Sequence, residues 1–156
     1  MPQPTGSQTS SPLRIAVTGG AGRIGQVVIG ELLEHGHVPT CIDLRVPEGL
    51  SRPKPYQATV ADLTDLGQVY GQLRGMDAVI HLAAIAWAGR YPPEVTFRTN
   101  AMSHFNVLEA SAALGIARVA TASSIQVAVP IRSPQARPPL YVPFDEEHPL
   151  QPDTEY

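Results

Sequence analysis

The chain has 156 residues, 43% hydrophobic and 16% charged, with a net charge of −3. That is material for one domain with a substantial core and hardly for two. The slightly acidic balance leaves no electrostatic footprint for nucleic acid, and no apolar run approaches the ~20 residues of a membrane span.

Residues 1–12, "MPQPTGSQTSSP", read as a polar, flexible tail. They lack the basic-then-apolar order of a signal peptide. The single cysteine, Cys41, cannot form an internal disulfide and lies in an apolar run, as an inert core thiol does. The histidines show no metal-ligand spacing. Together these features predict a soluble, cytoplasmic protein. Ten of the eleven basic residues are arginine, and Lys54 is the only lysine.

In chain order, "LRIAVT" (13–18) is a β-branched run between the tail and a glycine cluster, and is expected to form a buried strand. Ile24, Val27, Val28 and Leu32 follow at helical spacing, and Gly36 supplies a stop. "HVPTCIDL" (37–44) is a second strand whose regular part Pro39 should push toward its C-terminal end. "YQATV" (56–60) is a third. Leu66, Val69, Tyr70 and Leu73 mark a helix that Thr64 could cap. "DAVIHLA" (77–83) is a fourth strand. Pro92 and Pro93 open a helix to about Leu114, with Phe97, Ala101, Phe105, Leu108 and Ala112 as its expected core stripe and Gly115 at its end. "ARVATAS" (117–123) is a fifth strand. Residues 130–156 form a proline-rich loop leading to a terminal tyrosine.

Strand and helix alternate throughout. The pattern predicts an α/β domain over 13–129, a doubly wound, Rossmann-like parallel sheet with right-handed crossovers. Its ligand should sit at the carboxyl ends of the strands.

There the first strand runs into "TGGAGRIG". Gly19, Gly22 and Gly25 fit one glycine fingerprint, and Gly20, Gly22 and Gly25 fit another. In either, small residues let the backbone turn tightly and approach a pyrophosphate at a helix N-terminus. Asp43, at the end of the second strand, stands about where a carboxylate would hold the adenosine ribose hydroxyls. Such a carboxylate repels a 2′-phosphate, so NAD is favoured over NADP, although Arg23 and Arg45 lie close enough to blur that preference. These residues predict dinucleotide binding.

Further motifs then follow in order, and the chain from Leu13 to Tyr156 resembles the extended short-chain dehydrogenase/reductase family of nucleotide-sugar epimerases, dehydratases and sugar dehydrogenases. "TGGAGRIG", with Arg23 and Ile24 between its last glycines, is similar to the family's phosphate turn. "ADLTD" is similar to the segment in which Asp62 and Leu63 would flank the adenine. "HLAA" resembles the strand end where Ala83 and Ala84 let the cofactor approach. "NAMSHFNVLEAS" resembles the family helix that begins with an asparagine, here Asn100. "ATASSIQV" resembles the strand bearing the catalytic serine, a position Ser124 fits better than Ser123. "PLQPDTEY" resembles the lead-in to a Y-x-x-x-K motif, with Tyr156 as its tyrosine.

Simpler roles stand beside these. Asp62 could cap a turn, Asn100 could bridge backbone groups behind the site, and Ser123 and Ser124 could be ordinary strand-end hydroxyls. His81 is expected to be packed near the site rather than catalytic. Trp87 lies where substrate would pass, though a lone loop aromatic commonly packs against its neighbours. Asp145, Glu146 and Glu147 are expected to form a solvated acidic loop.

The resemblance implies hydride transfer between a sugar or nucleotide-sugar carbon and NAD, with Ser124 and Tyr156 as the catalytic pair, and a homodimer for the intact protein. A free phenol titrates near ~10 and needs nearby positive charge to act as a base at neutral pH. The family's lysine would fall at position 160. The chain is therefore expected to be the N-terminal, cofactor-binding part of a longer enzyme, without its substrate domain and inactive alone. A non-catalytic NAD sensor or partner-docking module is the alternative. Neither nucleic acid nor membrane is an expected partner.

Overall fold

The computed structural model describes residues 11–47, 56–128, 138–152 and 154–156. The first ten residues of the tail, Lys54 and residues 130–137 of the proline-rich insert lie outside them.

The described residues form one parallel sheet of five strands in the order β3-β2-β1-β4-β5. Strand β1 (Arg14–Thr18) leads to helix α1 (Arg23–Glu34) and β2 (Val38–Asp43). Next come β3 (Gln57–Val60), α2 (Leu66–Leu73) and β4 (Ala78–His81), followed by α3 (Pro93–Ala113) and β5 (Val119–Thr121). A 3₁₀ turn over Ile125–Val127 follows β5. The chain winds outward from β1 in both directions, so the order reverses between β1 and β4 and opens a crevice at their carboxyl ends.

Alternation along the strands divides the core. Ile15 and Val17 face α1 and pack with Ile29, Cys41 and Ala78. Ala16 faces the other way and packs with Ile42, Val79, Val69 and Leu73 of α2, and Val107 and Ala110 of α3. Cys41 is fully buried, as its apolar surroundings suggested.

Three sequence expectations are corrected by this packing. Pro39 lies inside β2, paired with Ile15 of β1, and does not confine the strand to its C-terminal end. Pairing with β3 starts only at Thr40, so the N–H that proline lacks is not required by that neighbour. Asp65, not Thr64, caps α2, its carboxylate accepting from Gln68 N at 3.0 Å. The proposed core stripe of α3 is largely exposed, Phe97 at 63% and Phe105 at 56%, while Thr96, Ser103, Asn106, Val107, Ala110 and Ser111 are buried. The buried face is narrow and polar because α3 packs closely against α2, where Asn106 Nδ2 donates to Leu63 O at 2.9 Å. Ile24 and Val27 of α1 are exposed for a related reason. They point away from the sheet, and Gly25 and Ile29 are the buried residues of that helix.

Candidate active site

The crevice is an open cleft of about 1240 Å³. One wall is the glycine turn. Gly19 has φ +67°, and a Cβ there would lie 2.8 Å from Ala83 N, so the turn touches the loop after β4 backbone to backbone. A Cβ on Gly25 would fall 2.6 Å from Gly20 Cα and also collide with Gly19 O. Gly22 N donates to Gly19 O at 3.0 Å, and Gln26 Nε2 to Gly20 O at 2.5 Å, closing the turn onto the start of α1.

Helix α1 begins without a capping side chain and without an acidic residue in its first turn. Its first N–H groups and the positive end of its dipole are therefore open to an anion. The other two α-helices differ: Asp65 caps α2, and α3 carries Glu94 in its first turn.

Asp43 closes this wall from behind, its Oδ2 accepting from Ala21 N at 3.1 Å. The carboxylate thus braces the turn through Oδ2 and leaves Oδ1 without a hydrogen-bond partner among the described residues. Asp62 and Leu63 do not line the cleft. Asp62 Oδ1 accepts from Thr64 N and Oγ1, a local turn, and Leu63 is buried against α2 and α3. The turn-capping alternative for Asp62 is the contact observed.

Below the loop after β4, Thr18 and His81 tie the two strand ends together. Thr18 Oγ1 lies 2.7 Å from His81 Nδ1. Leu82 N and Ala83 N both donate to that hydroxyl oxygen, at 3.3 and 3.4 Å, so the hydroxyl proton goes to Nδ1. Burial, with a smaller contribution from nearby His104, lowers the His81 pKa to about 4 and keeps the ring neutral.

The second wall is built from the β4–α3 loop, the β5 end and the C-terminal segment. Ala83, Ala84, Asn100, Ser123, Ser124 and Tyr156 all line it. Asn100 spends both amide atoms on Ile85, accepting from its N at 2.8 Å and donating to its O at 3.2 Å, as in the bridging alternative. Ser124 Oγ accepts from Gln126 N at 3.2 Å and is half-buried, while Ser123 is exposed. Two long-range hydrogen bonds bring Tyr156 to this wall: Gln151 N to Val127 O at 2.7 Å, and Gly89 N to Glu155 Oε1 at 2.9 Å. The Gly89 N–H holds the Glu155 carboxyl below its ordinary range.

Sequence reasoning missed Gln126, Arg90 and Glu155. Gln126 lines the cleft with a buried Oε1 that has no hydrogen-bond partner among the described residues. Its place two residues past Ser124 was the available signal. Nothing in the sequence marked Glu155 as a tether. Trp87, 59% exposed, also lines the cleft. Asp145, Glu146 and Glu147 are exposed, as expected, and Asp145 Oδ1 accepts from Tyr141 Oη at 2.6 Å.

Comparison with known proteins gives a family for this chain. Residues 15–156 match the model of the NAD dependent epimerase/dehydratase family. The chain belongs to this family. Among curated relatives it is 30% identical over 148 residues to a UDP-glucose 4-epimerase of Corynebacterium glutamicum, covering 92% of this chain and 42% of the relative. It is 32% identical over 153 residues to an L-arabinose 1-dehydrogenase (NAD(P)(+)) of Haloferax volcanii, covering 92% and 55%. A short-chain dehydrogenase/reductase superfamily protein of Agrobacterium tumefaciens, solved with bound NAD, superposes with a TM-score of 0.77 at 32% identity, over 92% of this chain and 40% of that one. The chain thus spans about half, or less, of the length of these proteins. Among its described residues no helix is long and apolar enough to cross a membrane.

Proposed function

We propose that these residues are the cofactor-binding part of an NAD-dependent oxidoreductase, epimerase or dehydratase acting on a sugar or nucleotide-sugar. The observation that carries this reading is the uncapped start of α1 behind a turn that only glycine can make, in the same cleft as Ser124 and Tyr156. The residues fit the cofactor: a Cβ at Gly19 or Gly25 would obstruct the turn, and Asp43 Oδ1 is available to a ribose hydroxyl. The backbone amides of Arg23, Ile24 and Gly25 would hold the pyrophosphate, with Gly22 leaving room beside them. Ala83 and Ala84 would let the middle of the dinucleotide lie against the strand ends. Bound NAD supplies the acceptor for a hydride from a sugar carbon.

The chain's own groups handle the proton. Tyr156 would take it from the reacting hydroxyl, and Ser124 Oγ would hold that oxygen by a hydrogen bond. The neutral His81 adds no charge, and its role is to hold the strand ends together. NAD is preferred to NADP because Asp43 would repel a 2′-phosphate. The intact protein is read as a homodimer with a further substrate domain, and a polypeptide of these 156 residues alone as a binder with little turnover.

Calorimetric titration with NAD and, separately, NADP tests the reading. The expected result is saturable NAD binding that weakens about tenfold or more in Asp43→Ala, with weaker NADP binding throughout. A folded chain that binds neither dinucleotide would overturn it.

A further inference from the structure

Behind the glycine turn, one peptide unit is held at both of its ends by side chains. It is the unit that joins Gly20 to Ala21. Its N–H, on Ala21, donates to Asp43 Oδ2 at 3.1 Å, and its carbonyl, on Gly20, accepts from Gln26 Nε2 at 2.5 Å. Gly20 N donates to Ile42 O at 3.4 Å, which ties the same residue to the end of β2. Gly20 is buried, and a Cβ there would lie 2.8 Å from Cys41 Sγ.

The orientation of the Gln26 amide follows from its partners. A carbonyl oxygen can only accept, so the atom that faces Gly20 O is the amide nitrogen. The amide oxygen then faces Tyr56 Oη, which donates to it at 3.4 Å. Tyr56 directly precedes β3 and packs with the core on the α1 side of the sheet. Gln26 and Gly20 stand behind the cleft wall and do not line it. A rotation of the Gly20–Ala21 unit would break both bonds and turn a carbonyl oxygen toward the Asp43 carboxylate, where the two repel. The two side chains therefore admit one orientation of the unit. Because Asp43 is held by the same unit, Gln26 acts on the carboxylate through the peptide between them.

We propose that Gln26 is a positioning residue for the cofactor: by gripping the Gly20–Ala21 peptide opposite Asp43, it holds the phosphate turn in shape and keeps the Asp43 carboxylate aimed at the ribose. The inference rests on the functional reading above and adds a residue to it. Ribose and pyrophosphate are then recognised through one shared peptide, and the contributions of Gln26 and Asp43 to affinity are coupled.

Two measurements on the full chain test this. The first is amide hydrogen exchange, read by NMR without ligand. In Gln26→Met, which keeps the length of the side chain and loses its amide, Ala21 N–H should exchange about fivefold or more faster. Val17 N–H, in the fully buried part of β1, should stay within about twofold. The second is calorimetric titration with NAD, in which Gln26→Met should bind about fivefold or more weakly. The double variant with Asp43→Ala should bind little more weakly than Asp43→Ala alone, because either change already frees the peptide. Gln26→Glu places an acceptor where Gly20 O needs a donor, and should lose affinity at least as strongly at neutral pH; it replaces Gln26→Met if that variant does not fold. Gln72→Met is the control, a half-buried glutamine on α2 that accepts from Thr59 Oγ1 at 2.7 Å, and it should move neither readout. Unchanged exchange at Ala21, equal acceleration at Ala21 and Val17, undiminished NAD affinity, or a double variant whose loss is the product of the single losses overturns the proposal. Failure of the wild-type chain to bind NAD would instead sink the functional reading, while the exchange measurement still decides whether Gln26 grips the turn.

Discussion

The two walls of the cleft are held in different ways. The glycine turn is fixed by backbone contacts so close that a single methyl group has no room, and its brace, Asp43, sits 22 residues from the amide it holds. The wall opposite has its C-terminal segment held by two long-range hydrogen bonds, at residues 151 and 155, and it presents exposed side chains such as Trp87 and Arg90. The first wall suits a ligand part that is the same in every turnover, and rigidity there is useful. Under the proposed function the second takes a part that varies among relatives, which include a UDP-glucose 4-epimerase and an L-arabinose 1-dehydrogenase (NAD(P)(+)).

The contrast can be broken hardest at Gly25. Its replacement by alanine should lower NAD affinity by about 100-fold, and destabilise the fold by about 2 kcal/mol, because the new Cβ forces the turn apart. Calorimetry alongside urea unfolding separates the two effects. Undiminished NAD binding by Gly25→Ala would show that the turn does not receive the cofactor.

A second experiment probes the hinge between the walls. His81 has a pKa of about 4 in the fold against an ordinary 6.5. The unfolded chain therefore binds the extra proton first as pH falls. Stability from this group is complete above about pH 6.5, declines through the interval down to about pH 4, and is flat below it. The loss across that window is on the order of 3 kcal/mol. Urea midpoints measured at pH 7.5, 5.5 and 4.5 should follow this course in the wild type, with a shallower fall in His81→Gln. Equal slopes for the two proteins would mean that His81 is not held neutral.

The two faces of α3 sharpen the comparison at lower cost. Val107→Ala, in the core shared with α2, should cost about 2 kcal/mol. Phe105→Gln, on the exposed face, should change stability by no more than about 0.5 kcal/mol. A large loss at Phe105 would mean that this face is covered in the folded chain.

The smallest effect is expected at Glu155. Glu155→Ala should shift Trp87 emission by releasing Gly89 N, while the urea midpoint stays within error of the wild type. An unchanged spectrum would show that the tether does not hold the loop.

Much of the first wall was legible in the sequence because its determinants are local. Gly19, Gly22 and Gly25 sit within seven residues, and the alternation of Ile15, Ala16 and Val17 already assigns the two faces of the sheet. The face of α3 was misread because its apolar residues outnumber the polar ones that pack. Ser103, Asn106 and Ser111 are buried by close approach to α2, a property of the helix pair that a single helix cannot display. Asp62 was placed near the adenine by resemblance; in the fold its Oδ1 accepts from Thr64 two residues on.

By itself the sequence determined the alternating α/β order, the glycine turn and its aspartate. Local steric rules and hydrophobic period suffice for these, since each depends on residues within a few turns or one strand. Only the tertiary structure decided that Asp43 braces the turn, that Glu155 fastens the loop at Gly89 beside Tyr156, and that Gln151 ties the C-terminal segment to Val127. Those contacts join residues as far as 66 positions apart. Their partners are chosen by where the sheet delivers the chain ends, and no spacing in the sequence encodes that.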